Sequence, residues 1–255
     1  MWLLIDAGNT RIKWALVETR SASQLGGWSQ FDTLTHEEFA QRPSVWTGHK
    51  LERIVISNVA GAAVKTQLTE ALQSQQVSIE WFASEVKLAG LVNRYKNPGQ
   101  LGSDRFATAI AAHALYPNQN LIVAACGTAT TIDAVTAQGE FIGGMIAPGL
   151  LLMAQSLAQK TAQLPELQQT SAEAMTAQFA DHTQGAIIAG CLAAQAGAIE
   201  YAIRNFSQMA QLDLQEQPLC LLSGGAAKYI APNLKLPHQL IDHLVLIGLQ
   251  VVALC

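Results

Sequence analysis

The chain has 255 residues, half of them hydrophobic and 13% charged, with a net charge of −4, so it can fill one large core or two ordinary ones. The acidic balance and the lack of a basic stripe argue against a nucleic-acid partner. Four cysteines (Cys126, Cys191, Cys220, Cys255) stand apart without CxxC spacing, which predicts buried free thiols in a reducing compartment rather than zinc or a disulfide framework.

An apolar strand, Trp2 to Ile5, opens the chain and runs into Asp6, a turn at Ala7-Gly8-Asn9-Thr10 and a second strand-like run carrying Lys13. No basic leader precedes it, and Asp6 interrupts the apolar run too early for a signal peptide. The arrangement suits a triphosphate. Gly8 lets the backbone approach phosphate oxygens, and turn N–H groups with the Thr10 hydroxyl donate to them. Asp6 can hold Mg²⁺ directly or through water. A plain β-hairpin accounts for the same residues equally well, and a strand lysine such as Lys13 is usually a solvated edge residue.

Residues 2–18 and 24–33 predict three short strands, with Gly26-Gly27 disturbing the third. A brief helix follows at His36 to Gln41, a strand at 52–58, a helix at Gly61 to Gln75 and a strand at Ser78 to Phe82. Gly90 to Gly102 reads as an irregular segment of a length that is often functional. Ser103 to Leu115 is Ala-rich and helical, with Ser103 as its N-cap. Asp104 in its first turn complements the helix macrodipole. Its neighbours suggest more: Gly102 permits close substrate approach, Arg105 offers a planar fork, and Tyr95 pairs an apolar face with a polar tip. A phosphoryl-transfer enzyme needs little beyond phosphate-binding donors and a carboxylate that accepts the attacking hydroxyl's proton.

Pro117-Asn118 breaks the helix, and strands follow at 121–126, 129–136 and 140–146, with Gln138-Gly139 turning between the last two. Pro148 is placed in the first turn of a helix. Helices near 149–160 and 184–206 flank a stretch rich in Gln and Thr. A strand at 218–223 ends in Ser223-Gly224-Gly225, which suits a nucleotide contact or simply a tight strand-to-helix turn. The apolar stretch near His243 to Cys255 is too short to span a bilayer and reads as a buried helix.

Residues 121–135, LIVAACGTATTIDAV, echo the opening. Aligning Gly8 with Gly127 puts strand on strand and turn on turn, with Asp6 opposite Ala125. A repeat at about half the chain length implies two related α/β lobes, 1–117 and 118–255, each offering a phosphate-binding hairpin. A ligand is expected in the cleft between them.

DAGNTRIKW at 6–14, the tyrosine loop leading to GSDR at 102–105, GTATT at 127–131, GGMIAPG at 143–149 and SGG at 223–225 occur in this order. Taken jointly, over essentially the whole chain, they resemble the type III pantothenate kinases. The resemblance implies the duplicated, ribonuclease H-like fold of actin, Hsp70 and the acetate and sugar kinases. It implies ATP- and Mg²⁺-dependent phosphorylation of pantothenate on its primary hydroxyl, the first step of coenzyme A biosynthesis, by a cytoplasmic homodimer. The charge balance and the short apolar stretches separately predict no nucleic-acid and no membrane partner.

Residue by residue, the resemblance makes Asp6, Ala7, Gly8, Asn9, Thr10, Arg11, Ile12 and Lys13 the first ATP-phosphate loop, with Asp6 serving Mg²⁺. Thr128 touches the phosphates from the second hairpin, and Asp104 is the proton acceptor. Tyr95, Gly102, Ser103, Asp104 and Arg105 contact pantothenate, as does Thr183, across the dimer interface. Turn chemistry alone explains Thr128, and a helix N-cap alone explains Thr183. One departure stands out. Family members often carry Asp, associated with K⁺ or NH₄⁺, where this chain has Ala125, so the side-chain part of that cation site is absent and Cys126 is a poor substitute. The alternatives are a non-catalytic ATP-binding regulator of the same fold, or a kinase of another small hydroxy acid. Retention of Asp6, Lys13, Tyr95, Asp104, Arg105 and Thr128 favours catalysis, because a binding module needs no base at a substrate pocket.

Overall fold

The structure is a computed structural model that describes residues 1–42, 46, 48–160, 179–212 and 217–255. The first elements are β1 (Trp2–Ala7), β2 (Arg11–Val17), β3 (Gln30–Thr35), α1 (His36–Gln41), β4 (Arg53–Asn58), α2 (Ala62–Leu72) and β5 (Ile79–Phe82). Then come β6 (Lys87–Leu88), β7 (Leu91–Asn93), α3 (Ser103–Leu115), β8 (Leu121–Cys126), β9 (Ala129–Val135) and β10 (Glu140–Pro148). The last are α4 (Leu150–Lys160), α5 (Thr183–Met209), β11 (Leu219–Ser223), α6 (Ala227–Ile230), β12 (His238–Leu240) and α7 (Leu244–Leu254).

Two compact units result: residues 1–117 with 139–141 and 243–255, and residues 118–138 with 142–242. The first unit holds a sheet in the order β3-β2-β1-β4-β5, antiparallel among β1 to β3 and parallel from β1 through β4 to β5. The second repeats that order as β10-β9-β8-β11-β12. The repeat extends to register. Asp6 pairs with Ser57 across β1 and β4, and Ala125 pairs with Ser223 across β8 and β11. The internal duplication read from two short hairpins is therefore a duplication of whole sheets.

Central strands are apolar almost throughout because both faces are covered. Leu3, Ile5, Leu16, Ile54, Ile56 and Leu68 anchor the first core; Ile122, Leu192, Ile199, Phe206, Leu222 and Ile230 anchor the second. The 27-residue α5 is long and apolar enough to cross a membrane, but Ile188, Leu192, Ile199, Ile203 and Phe206 along it line that second core.

Several sequence expectations need correction. The last helix counts with the first unit, not the second: α7 packs on α3 so closely that a Cβ on Gly248 would lie 1.9 Å from the Ala107 carbonyl oxygen. Gly90 to Gly102 is not wholly irregular. β7 pairs with β6 and with the first residues of β10, Glu140 and Phe141; strands this short leave no period in a sequence. The third strand starts at Gln30, because residues 22–28 form a loop folded around Gln250. Pro148 ends β10 instead of opening a helix. Cys126, Cys191 and Cys220 are buried but Cys255 is exposed. Most of the Gln- and Thr-rich stretch lies outside the described residues.

Candidate active site

In the first unit, β1 and β2 pair as far as Ala7 with Ile12, and the Gly8 N–H donates to the Arg11 carbonyl at 3.0 Å. Asn9 and Thr10 are left as an exposed two-residue turn. A Cβ on Gly8 would lie 3.3 Å from that same carbonyl, so the glycine has a packing reason of its own. His36 Nε2 sits 3.0 Å from the Gly8 carbonyl. A carbonyl only accepts, so this nitrogen carries the proton. Nothing in the sequence marked His36 as part of this turn.

Asp6, at the end of β1, is 6% exposed, with Oδ2 3.5 Å from Lys13 Nζ. Burial pushes its carboxyl above the usual carboxylate range; Lys13 pulls it back, and the nearby charge of Asp104 pushes it up again. Asp6 is in register with Ser57, whose hydroxyl bonds Ser103, the residue before Asp104, so the two sequence-predicted carboxylates lie on neighbouring segments. The site lies at the carboxyl ends of parallel strands β1 and β4, the usual ligand-binding position in such sheets.

The start of α3 differs from expectation. Its N-cap is Gly102, and Ser103 is the first helical residue. The Ser103 hydroxyl meets Ser57 Oγ at 2.8 Å. Asp104 Oδ1 accepts the Arg105 N–H at 2.8 Å, and a Cβ on Gly102 would come within 2.7 Å of the same oxygen. Gly102 therefore makes room for the carboxylate. Arg105 is 7% exposed and donates to the Tyr95 hydroxyl at 2.9 Å, with its guanidinium over the rings of Tyr95 and Phe141. Arg105 thus braces Tyr95. Asn93 orders the intervening loop: its Oδ1 accepts from Tyr95 N at 3.1 Å and its Nδ2 donates to the Pro98 carbonyl at 3.2 Å. Asn side chains commonly hold turns this way, the signal that could have singled it out.

In the second unit the hairpin is tighter. The Gly127 N–H donates to the Ala129 carbonyl at 3.0 Å, leaving Thr128 exposed at the tip. Gly149 N donates to the Thr128 carbonyl at 2.9 Å, and a Cβ there would lie 2.1 Å from the Gly127 oxygen. Gly224, at φ +95°, would put a Cβ 2.5 Å from the Cys126 oxygen. The GTA, APG and SGG motifs thus meet at one point because three backbones approach closely. Around Gly225 nothing lies within 4 Å of a Cβ, so packing gives no reason for that glycine. Thr183 is exposed and is the first residue of α5; His182 occupies the N-cap, so N-capping does not explain Thr183.

Among the described residues no group of three or more His, Cys, Asp or Glu gathers to hold a metal ion. Asp6 nonetheless fits Mg²⁺, which binds through one or two carboxylates together with waters and substrate phosphates. A bound cation would also offset the cost of burying this carboxylate.

Residues 2–205 match the family model for type III pantothenate kinase. The chain is 51% identical to the type III pantothenate kinase of Herminiimonas arsenicoxydans, over 100% of this chain and 98% of that one. It is 52% identical to that of Janthinobacterium sp. (strain Marseille), over 100% and 98%. Among solved structures it is similar to a protein described as a 2-dehydro-3-deoxygalactonokinase from Sinorhizobium meliloti, with TM-score 0.59, 14% identity and coverage of 99% and 98%. Another is one described as a Baf family transcriptional activator from Campylobacter jejuni, with TM-score 0.57, 18% identity and coverage of 98% and 96%. These structures share the actin-like ATPase and sugar kinase fold with this chain. Full-length identity of this order, together with a family model that matches residues 2–205, means that the chain belongs to the type III pantothenate kinase family.

Proposed function

We infer that this protein transfers the γ-phosphoryl group of ATP to the primary hydroxyl of pantothenate, the first step of coenzyme A biosynthesis, with Asp104 as proton acceptor. The observation that supports this assignment of roles is the tie between the start of α3 and the strand next to Asp6, through Ser103 and Ser57, with Gly102 leaving space for the Asp104 carboxylate. The hydroxyl oxygen forms a bond to the γ-phosphorus as the bond to the β,γ-bridging oxygen breaks, ADP leaves, and the proton goes to Asp104. In a loose transition state that proton becomes acidic late, so position matters more than a raised pKa.

The N–H groups at Gly8, Asn9 and Thr10, with Arg11 and Lys13, hold phosphate oxygens in the first unit; Thr128 does so in the second. Ala7 and Ile12 flank the first turn and supply backbone. Asp6 would hold Mg²⁺, which when bound would neutralise phosphate charge. Tyr95, Ser103 and Arg105 receive pantothenate. Ala125 brings no oxygen side chain to the position where K⁺ or NH₄⁺ would be held, so Ala125→Asp should strengthen dependence on those ions.

The enzyme acts in the cytoplasm as a homodimer. Supporting the dimer, Ile146, Leu151, Leu152 and Leu157 are exposed, and an apolar groove lined by Met153, Leu157, Thr183, Ile187 and Cys191 needs a cover. Thr183 at that groove would meet the partner's pantothenate.

ADP release from ATP and Mg²⁺, measured with and without pantothenate in Na⁺, K⁺ and NH₄⁺ buffers, tests the assignment. Pantothenate-dependent release supports it; none in any buffer, from folded protein that binds ATP, refutes it. Asp104→Asn should fold, bind ATP and lose transfer by roughly 10²- to 10⁴-fold, the usual worth of general base catalysis.

A further inference from the structure

Ser57 is a polar interruption of an apolar strand. β4 reads Arg-Ile-Val-Ile-Ser-Asn, and Ser57 is fully buried at 0% exposure. A hydroxyl withdrawn from water is costly unless it is hydrogen-bonded. Here the bond is to Ser103 Oγ at 2.8 Å, on the first residue of α3 and directly before Asp104. On its other side Ser57 is in register with Asp6, one strand spacing of about 4.8 Å away.

Asp104 follows Ser103 directly, so the bond to Ser57 acts one residue from its carboxylate and one strand from Asp6. Gly102, the N-cap, offers no side-chain bond to hold the turn in place. A hydrogen bond from the sheet to the residue before Asp104 supplies that hold.

We propose that Ser57 is a positioning residue of this kinase: through Ser103 Oγ it tethers the first turn of α3 to the end of β4, and so fixes where Asp104 meets the pantothenate hydroxyl. Ser57 acts through Ser103 and touches no substrate. The tether serves the acceptor side of the reaction, so its loss leaves nucleotide binding intact. This rests on the assignment of Asp104 as the base.

The test is steady-state kinetics for both substrates, with ADP affinity by calorimetry and the melting temperature, on Ser57→Ala, Ser103→Ala and the double variant. Ser57→Ala should lower kcat/KM for pantothenate roughly three- to tenfold, the range one hydrogen bond supports, with ADP affinity and melting temperature near those of the parent. The double variant should be no worse than Ser103→Ala alone, because both remove the same bond. Parental kcat/KM in Ser57→Ala, additive losses in the double variant, or a matching loss of ADP affinity would overturn the proposal. Should Ser57→Ala not fold, Ser57→Thr and Ser57→Val share a shape and differ by the hydroxyl; higher pantothenate kcat/KM in the Thr variant is expected, and equality overturns the tether. Full activity in Ser57→Ala beside an inactive Asp104→Asn sinks the tether and leaves the base assigned. An active Asp104→Asn removes the base assignment itself and, with it, the tether's role.

Discussion

Gly102→Ala separates the placement of the Asp104 carboxylate from its chemistry. The backbone at Gly102 has φ −56° and ψ 135°, a conformation alanine adopts freely, so no backbone strain follows. Alanine for glycine at a helix N-cap costs less than about 1 kcal/mol. The damage is local. The new Cβ would stand 2.7 Å from Asp104 Oδ1, whereas ordinary contact begins at 3.4 Å, and the next nearest atoms, Arg105 Cδ and Asp104 Cγ, are already at 3.9 and 4.0 Å. The carboxylate therefore has to yield by about 0.7 Å, and since a 1 Å misplacement costs up to about 10²-fold, kcat should fall roughly 10- to 100-fold. Coupled ADP-release kinetics read kcat and both KM values, and calorimetry reads ADP affinity and melting temperature. The expected pattern is a depressed kcat, ADP affinity unchanged and a melting temperature within a few degrees of the parent. Parental kcat would refute the role given to the carboxylate's position; a loss of kcat that tracks a collapse in stability would refute the claim that the effect is local.

The remaining predictions concern stability and accessibility. Burial holds the Asp6 carboxyl above its ordinary pKa of 3.8, so between the two values the folded state binds more protons than the unfolded one and stability falls as pH rises. Asp6→Asn should therefore be inactive yet more stable than the parent at pH 7 without nucleotide or metal, the gain shrinking as pH falls toward 4; urea unfolding that shows a pH-independent difference would contradict this. Gln250, fully buried, accepts from Gly26 N–H and Trp28 Nε1–H and donates to the Ala22 and Gln24 carbonyls. At ~1 kcal/mol per hydrogen bond, Gln250→Leu should cost roughly 4 kcal/mol and lower the melting temperature by about 8–16 °C; a loss under about 1 kcal/mol would show that water replaces the side chain. Burial pushes the Cys126 and Cys220 thiols up to about 12 and raises Cys191 as well, while Cys255 is exposed. A thiol reagent at pH 8 should modify Cys255 quickly in the native protein and all four cysteines after unfolding. Rapid native labelling of Cys126 or Cys220 would mean that the second core opens.

Much of this protein is legible in the sequence because its signals are local. A hairpin with Gly8 at its turn, an Ala-rich helix beginning at GSDR, and a second hairpin around Gly127 each declare themselves within a dozen residues. Their repetition predicts a duplicated fold, and the two sheets repeat the same strand order. What the tertiary structure decided depends on neighbours remote in the chain. Ser103 turns from N-cap to tether because Ser57, 46 residues earlier, comes up beneath it. His36 reaches the Gly8 carbonyl because β3 and α1 return alongside the first turn. Arg105 and Tyr95 face each other because Asn93 and Phe141 shape the loop between them. Gly149, Gly224 and Gly248 look like turn or helix residues in sequence; their cause is backbone approaching backbone, at Gly127, Cys126 and Ala107. The membership of α7 in the first unit follows from the same close contact with α3. Periodicity and turn chemistry report what a segment does alone; which polar atoms meet, and which glycines admit a neighbour, is settled only when distant segments share one space.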